Sequence, residues 1–173
     1  LGYEIYCSND IVVPIWDSLL DFGKTKGLVP AGLGARDLLR IEMKYCLYGN
    51  DINDTVNPFE AGLGWVVSLD KKYFIGKEKL ENLKSRILKK LVCFKMEEKA
   101  IPRIGYSIIK NNKILGKVTS GGFSSVLDQG IGMGFVSKEF SGAGNQVEID
   151  VRGKLKKAKI QKSPLYQNGT LYA

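Results

Sequence analysis

The second half of the chain places the tightest limit on the fold, because it is a series of short segments with strand-like patterns. Glycine and asparagine turns separate these segments at regular intervals. The six segments are residues 87–96, 105–112, 113–124, 129–136, 145–153 and 154–160. Short, evenly spaced strands are typical of a small antiparallel barrel or a sandwich. The adjacent residues Asn111 and Asn112 predict a tight hairpin between the second and third of these strands.

The first 85 residues show a mixed pattern. Apolar residues at helical spacing predict three helices, over residues 10–24, 35–44 and 76–85. Segments rich in β-forming residues predict two strands, at residues 3–7 and 63–70. These strands have no evident partners for a complete sheet, so we interpret the first half as part of a larger α+β domain. The sequence therefore predicts an α+β chain with two domains, residues 1–85 and 86–173.

The charge distribution divides the chain at the same place. Residues 1–85 carry 10 Lys or Arg and 12 Asp or Glu, whereas residues 86–173 carry 16 and 6. The basic surplus of the second half implies an acidic partner, which can be a protein, a polyanionic ligand or nucleic acid. The basic run "RGKLKKAKI" (152–160) has a simpler interpretation as an edge strand whose lysines prevent aggregation.

The residue types that are missing exclude several functions. There is no histidine in the 173 residues, which excludes Ser-His-Asp and Cys-His catalysis and His-ligated metals. The three cysteines, Cys7, Cys46 and Cys93, are odd in number and widely spaced, so we interpret each as a small buried residue in a reducing compartment. No apolar run approaches the roughly 20 residues that a bilayer requires. We therefore expect a cytoplasmic protein without a metal.

The start of the chain, "LGYEIYCSND", has neither a basic region followed by an apolar one nor an initiator methionine. We therefore expect a fragment or a processed product. The glycine-rich pieces "GLGAR" and "GIGMG" fall short of a dinucleotide-binding fingerprint, and we interpret them as packing glycines. The segment "TSGGFS" (119–124) is interpreted as a structural turn, although small hydroxyl-rich turns can also contact a ligand. Arg40 and Glu42 are interpreted as a structural pair.

Several blocks of the sequence, in order, resemble one known family. They are "PAGLGARDLLRIEMKYCLYGNDI" (30–52), "NPFEAGLGWVVSLDKKYFIGKEKL" (57–80), "PRIGYSII" (102–109), "LGKVTSGGFS" (115–124) and "IGMGFV" (131–136). Together they closely resemble the T-proteins of the glycine cleavage system, which are tetrahydrofolate-dependent aminomethyltransferases. The resemblance runs from residue 2 to about residue 151 and corresponds to the C-terminal half of a family member.

The resemblance implies a fold and a set of partners. Family members have two folate-binding α+β domains and a C-terminal β-barrel. Residues 1–85 would then be the latter part of a folate-binding domain, and residues 86–173 would be the barrel. The implied reaction moves the methylene group of an aminomethyl-lipoyl carrier, the H-protein, to tetrahydrofolate. The implied partners are the H-protein and the missing N-terminal half. The family's catalytic aspartate lies in that half, so we expect no catalytic residue here and a chain that is inactive, or nearly so, on its own. If the protein is eukaryotic, the expected compartment is the mitochondrial matrix.

The resemblance also implies four folate-binding residues. Glu4 would accept the two parallel donors on the pterin edge, and Arg36 would hold a pterin oxygen or a folate carboxylate. Trp65 would stack on the ligand, and Tyr48 is a further candidate. Structural alternatives are that Arg36 pairs with Asp37, that Glu4 faces solvent, and that Trp65 is a core residue.

Relatives of the same fold leave other functions open. Some are tetrahydrofolate-dependent demethylases, and others are non-enzymatic folate binders in iron–sulfur assembly. The latter carry a cysteine-containing motif where this sequence has "YFIGKEKL" (73–80), which disfavours that alternative. An RNA-binding barrel would need exposed aromatics between the lysines, and residues 152–162 contain none. We therefore expect no nucleic-acid or membrane partner.

Overall fold

The computed structural model describes residues 2–168 and divides the chain into two compact units. The first unit extends to Arg36, and the second begins at Asp37. Three α-helices precede the strands: α1 (Val12–Gly23), α2 (Leu33–Met43) and α3 (Lys77–Ser85). All three were predicted. No helix among the described residues is long and apolar enough to span a membrane. The predicted domain boundary after residue 85 stays a prediction.

The second unit contains a closed six-stranded antiparallel barrel. Its strands are β1 (Lys89–Met96), β2 (Ser107–Lys110), β3 (Lys113–Ser124), β4 (Gln129–Ser137), β5 (Gln146–Val151) and β6 (Lys154–Gln161). Their order around the barrel is β1-β4-β3-β2-β5-β6, and β6 closes the barrel on β1. The predicted α+β class and the predicted barrel are therefore confirmed.

Side chains of β1 alternate between two hydrophobic clusters on opposite faces of the sheet. Val92, Phe94 and Met96 point into the barrel, where every strand contributes to one core. Leu91 and Cys93 point outward and pack in a second cluster. That second cluster also contains Ile41, Ile131, Met133 and Leu165. The outer face of β1 and β4 is thus buried by the C-terminal half of α2 and by the segment after β6.

The "GIGMG" glycines allow close packing, as predicted. Gly132 and Gly134 are buried on β4, and a side chain at either position would meet the barrel core. A Cβ atom on Gly134 would lie 2.6 Å from the Lys117 carbonyl oxygen and 2.7 Å from the Ile108 Cδ1 atom. Ile131 and Met133, which alternate with these glycines, belong to the outer cluster. The alternation therefore leaves room for core side chains inside while packing apolar side chains outside.

The predicted hairpin is confirmed. Asn111 and Asn112 have φ angles of 50° and 59°, and Lys110 pairs with Lys113 across them. Positive φ at both central residues is the geometry that matches the twist of antiparallel strands, and asparagine tolerates it better than most residues.

Four structural predictions were wrong. Residues 3–7 are not a strand, since β-forming side chains need a partner strand and the described residues provide none there. Residues 63–70 contain a short 3₁₀ turn, Gly64–Val66, whose local hydrogen bonds replace a strand ladder. The run 152–160 is not an edge, because β6 pairs on both sides. The segment 119–124 is the end of β3 and not a turn.

We predict that Gly134→Ala destabilises the barrel. The added methyl group would overlap backbone atoms of β3 as well as Ile108, and overpacking of this kind costs about 1–3 kcal/mol. Urea unfolding of the 173-residue chain measures the change. Gly34→Ala is the control, because a Cβ atom there meets nothing within 4 Å, so its stability should not fall. Equal midpoints for the two variants would contradict the packing argument.

Candidate functional site

Among the described residues of the second unit, the most strongly buried charged group is the carboxylate of Asp51, which is fully buried. Its Oδ2 atom accepts hydrogen bonds from Arg40 Nη1 at 2.8 Å and from the Leu47 backbone N–H at 3.0 Å. Its Oδ1 atom accepts from the Thr119 hydroxyl and, at 2.9 Å, from the Ser120 hydroxyl. We call Arg40, Asp51, Thr119 and Ser120 the Asp51 hub.

The Arg40 guanidinium is buried beside Asp51, and each of its nitrogens has an acceptor. Nε donates to Asp37 Oδ1 at 2.7 Å, and Nη2 lies 2.6 Å from the same oxygen. Nη1 also donates to the Tyr45 carbonyl at 3.2 Å, and Nη2 donates to Ser120 Oγ at 2.8 Å. Asp37 therefore has Arg40 as its partner. A buried charge is tolerated only when it is paired in this way.

Glu42 makes a second polar connection to the barrel. The Ser124 hydroxyl donates to Glu42 Oε1, and Ser124 Oγ accepts from the Leu127 N–H at 3.1 Å. The Glu42 carbonyl accepts from the Leu165 N–H at 2.8 Å. Arg40 and Glu42 are thus structural residues, as predicted, but each pairs with β3 and not with the other. The sequence does not reveal their partners on β3, Ser120 and Ser124, which lie about 80 residues further along the chain.

The loop that follows α2 is fixed by the hub. The Leu47 N–H donates to Asp51, and the Gly49 N–H donates to the Ile52 carbonyl at 2.8 Å. Gly49 has a φ of 90°, a conformation that favours glycine. Tyr48 lies between these two anchored positions. Its side chain is 67% exposed, and its hydroxyl donates to Asp54 Oδ1 at 2.7 Å.

The four predicted folate residues are all exposed. Glu4 and Arg36 lie in the first unit, and Tyr48 and Trp65 lie in the second. Trp65 is 82% exposed, so the alternative that it is a core residue is wrong for this chain. Their contact with a ligand stays a prediction.

Two tyrosines donate to carboxylates near these positions. The Tyr6 hydroxyl donates to Glu4 Oε2 at 2.7 Å, and this bond raises the pKa of Tyr6. The bond to Asp54 likewise raises the pKa of Tyr48. Both phenols therefore stay protonated at neutral pH, and each remains a hydrogen-bond donor.

Two family models match the chain in succession. The model described as "GCVT N-terminal domain" matches residues 1–71, and "Glycine cleavage T-protein C-terminal barrel domain" matches residues 89–167. The chain belongs to the glycine cleavage T-protein family. The barrel described above occupies the residues that the second model matches.

The comparison with individual proteins leads to the same family. The Halothermothrix orenii protein named aminomethyltransferase is 48% identical over 165 residues, which are 95% of this chain and 46% of that protein. The Bacillus subtilis protein named aminomethyltransferase is 44% identical over 168 residues, which are 96% of this chain and 46% of that protein. A crystal structure of the glycine cleavage system aminomethyltransferase T from Bartonella henselae matches with a TM-score of 0.81 and 30% identity, over 91% of this chain and 44% of that one. The chain thus spans about half the length of the curated relatives it matches.

The cysteines of this T-protein family chain differ in exposure. Cys93 is buried, as predicted, but Cys46 is only half-buried and Cys7 is exposed, so the interpretation that all three are buried was wrong. Burial raises the pKa of Cys93, and burial together with the nearby Asp51 charge raises the pKa of Cys46. Within residues 2–168 no group of three or more His, Cys, Asp or Glu side chains could hold a metal ion.

We predict that Asp51→Asn strongly destabilises the chain. The substitution removes the buried one of the two carboxylates that pair with Arg40, and breaking a buried ion pair costs about 3–5 kcal/mol. Ser120→Ala removes the hydrogen bond that Ser120 donates to Asp51 and the one that it accepts from Arg40. It should cost less, about 1–3 kcal/mol. Urea unfolding measures both. The control Asp70→Asn changes an exposed turn residue and should stay within about 0.5 kcal/mol of the parent. A midpoint for Asp51→Asn equal to that of the control would contradict a stabilising hub.

We also predict an order of thiol reactivity. Iodoacetamide at neutral pH should modify Cys7 first, because the raised pKa values of Cys46 and Cys93 reduce their thiolate fractions and burial limits access. Mass spectrometry of the native chain at short times measures the order, with the urea-unfolded chain as control. Labelling of native Cys93 at the rate of Cys7 would contradict this burial.

Proposed function

We propose that the protein is an aminomethyltransferase of the glycine cleavage system. The observation that carries this proposal is the identity of 48% to a protein named aminomethyltransferase over 95% of this chain. Because the chain spans about half the length of such relatives, we assign the activity to the full-length natural protein. We propose that the 173-residue chain on its own is inactive or nearly so.

In the proposed reaction, a lipoyl arm of the H-protein carries an aminomethyl group on sulfur. A tetrahydrofolate nitrogen attacks the methylene carbon, the carbon–nitrogen bond breaks and ammonia leaves. The second folate nitrogen then displaces the lipoyl sulfur. The two protons lost by the folate nitrogens go to ammonia and to the dihydrolipoyl thiol, so that methylenetetrahydrofolate forms without an oxidant. Such a reaction depends mainly on the orientation of its reactants, and it needs no metal.

We assign the four exposed residues to folate binding, with no catalytic residue among them. The Glu4 carboxylate would accept the two donors of the pterin edge, a geometry that carboxylates fit well. The Arg36 guanidinium would hold a pterin oxygen or a folate carboxylate and favour the ionised form of Glu4. Trp65 and Tyr48 would provide aromatic contact with the ligand. Their exposure supports the assignment, because each side chain is free to meet a ligand.

The proposed partners follow from the same assignment. The surplus of 16 basic over 6 acidic residues in residues 86–173 suits an acidic carrier protein. We propose residues 1–85 as the latter part of the folate-binding domain, which the family's N-terminal half would complete. The cytoplasm is the compartment that we propose for a bacterial protein of this kind.

Calorimetric titration of the full-length natural protein with tetrahydrofolate tests the folate site. Glu4→Gln and Arg36→Ala should each weaken binding by about tenfold or more, because each removes a charged partner of the ligand. The matched controls are Glu78→Gln and Arg86→Ala, which change exposed residues in α3 and directly after it. The controls should bind tetrahydrofolate as the parent does.

The titration and an activity assay separate the two parts of the proposal. Ammonia release from an aminomethyl-lipoyl carrier, dependent on tetrahydrofolate, supports the reaction. If the parent protein binds tetrahydrofolate but Glu4→Gln and Arg36→Ala bind equally well, the site assignment is wrong. If the parent protein neither binds tetrahydrofolate nor releases ammonia, the proposed function is wrong.

A further inference from the structure

We propose that Thr119 and Ser120 are positioning residues for folate binding, which they support through Asp51 and the loop that carries Tyr48. This inference rests on the proposed function, because Tyr48 is a folate residue only under that proposal. The inference goes beyond the proposed function, because it gives the barrel a part in ligand binding. The argument has three steps, from the strand to Asp51, from Asp51 to the loop, and from the loop to Tyr48.

The first step is an irregularity in β3. Consecutive side chains of a regular strand point to opposite faces of the sheet. Thr119 and Ser120 are consecutive, yet both hydroxyls donate to Asp51 Oδ1. The pairing of β3 with β4 shifts its register between Val118 and Ser120, which makes Thr119 the extra residue of a bulge. A bulge re-aims side chains in this way, and bulges are common next to active sites.

The second step is that the two carboxylate oxygens of Asp51 accept hydrogen bonds from different parts of the structure. Oδ1 receives the two barrel hydroxyls, whereas Oδ2 receives Arg40 and the Leu47 N–H. The carboxylate therefore transmits the position of β3 to α2 and to the loop. Because Asp51 is fully buried, it cannot exchange a lost donor for bulk water without rearrangement.

The third step concerns Tyr48 itself. The loop from Leu47 to Ile52 is closed by the bond between the Gly49 N–H and the Ile52 carbonyl, and by a bridge between Tyr48 and Ile52. Its start is held by Asp51 through the Leu47 N–H. Tyr48 is mostly exposed, so its orientation depends on this backbone and on the bond from its hydroxyl to Asp54, and little on side-chain packing. Loss of a barrel hydroxyl would loosen Asp51 and, through it, the loop.

The test is a pair of substitutions at Thr119. Thr119→Val keeps the shape of the side chain and removes the hydroxyl, whereas Thr119→Ser keeps the hydroxyl. Calorimetry with tetrahydrofolate, on the full-length natural protein, should show about a threefold to tenfold weaker affinity for Thr119→Val. Thr119→Ser should bind within about twofold of the parent.

Two further measurements separate positioning from a merely structural role. In a Tyr48→Ala background, Thr119→Val should cause no additional loss of affinity, since the residue through which it acts is gone. Ile160→Val is a stability control, because it removes a buried methylene from β6, three strands away from β3 around the barrel. This control should lower the urea midpoint and leave tetrahydrofolate affinity unchanged.

Four results would overturn the inference. Parent-like affinity in Thr119→Val would show that the hydroxyl does not act on the site. A full additional loss in the Tyr48→Ala background would show that it does not act through Tyr48. An equal loss in Ile160→Val would attribute the effect to stability alone. Parent-like affinity in Tyr48→Ala would remove Tyr48 from the folate site, and this result would correct that assignment while the titrations at Glu4 and Arg36 still test folate binding.

Discussion

The buried ion pair between Arg40 and Asp51 is the contact on which the second unit depends most. It joins α2, the loop after α2 and strand β3, three segments that are separated by up to 80 residues. A buried pair of charges adds little stability relative to apolar packing, yet the loss of one partner is costly. The pair therefore acts mainly by favouring one arrangement of the three segments, the arrangement in which each charge has its partners. The hydroxyls of Thr119 and Ser120 complete that arrangement.

Around this contact the barrel uses both faces of its sheet. The inner face forms the barrel core, and the outer face of β1 and β4 is covered by Ile41 and Leu165. Glycines on β4 have no side chain, and this leaves space in the barrel core for Phe94 and Ile108. The barrel is therefore not only a closed module but also the surface on which α2 is fixed. The end of α2 and the loop with Tyr48 consequently have defined positions on the barrel.

Local patterns predicted the parts of the fold that local interactions determine. Period-two segments located all six strands, and helical periodicity located α1, α2 and α3. Residues 3–7 failed because β-forming composition cannot specify a strand without a partner. The Asp51 hub could not be predicted, since Arg40 and Ser120 are 80 residues apart and only the barrel brings them together. Asp51 lies in "LYGND" (47–51) and Thr119 in "VTSG" (118–121), and nothing in either motif shows that the two segments meet. The four proposed folate residues were predicted from resemblance alone.

The closure of the barrel has a consequence for how the chain is made. Strand β1 pairs with β4 and also with β6, so that Cys93 faces Gln161 across the closing seam. During synthesis the second edge of β1 therefore stays uncovered until β6 has been made. Until then its apolar residues can pair with another chain, which is a hazard for sheets with long-range closure. A nascent chain stopped before β6 would leave this seam exposed to chaperones.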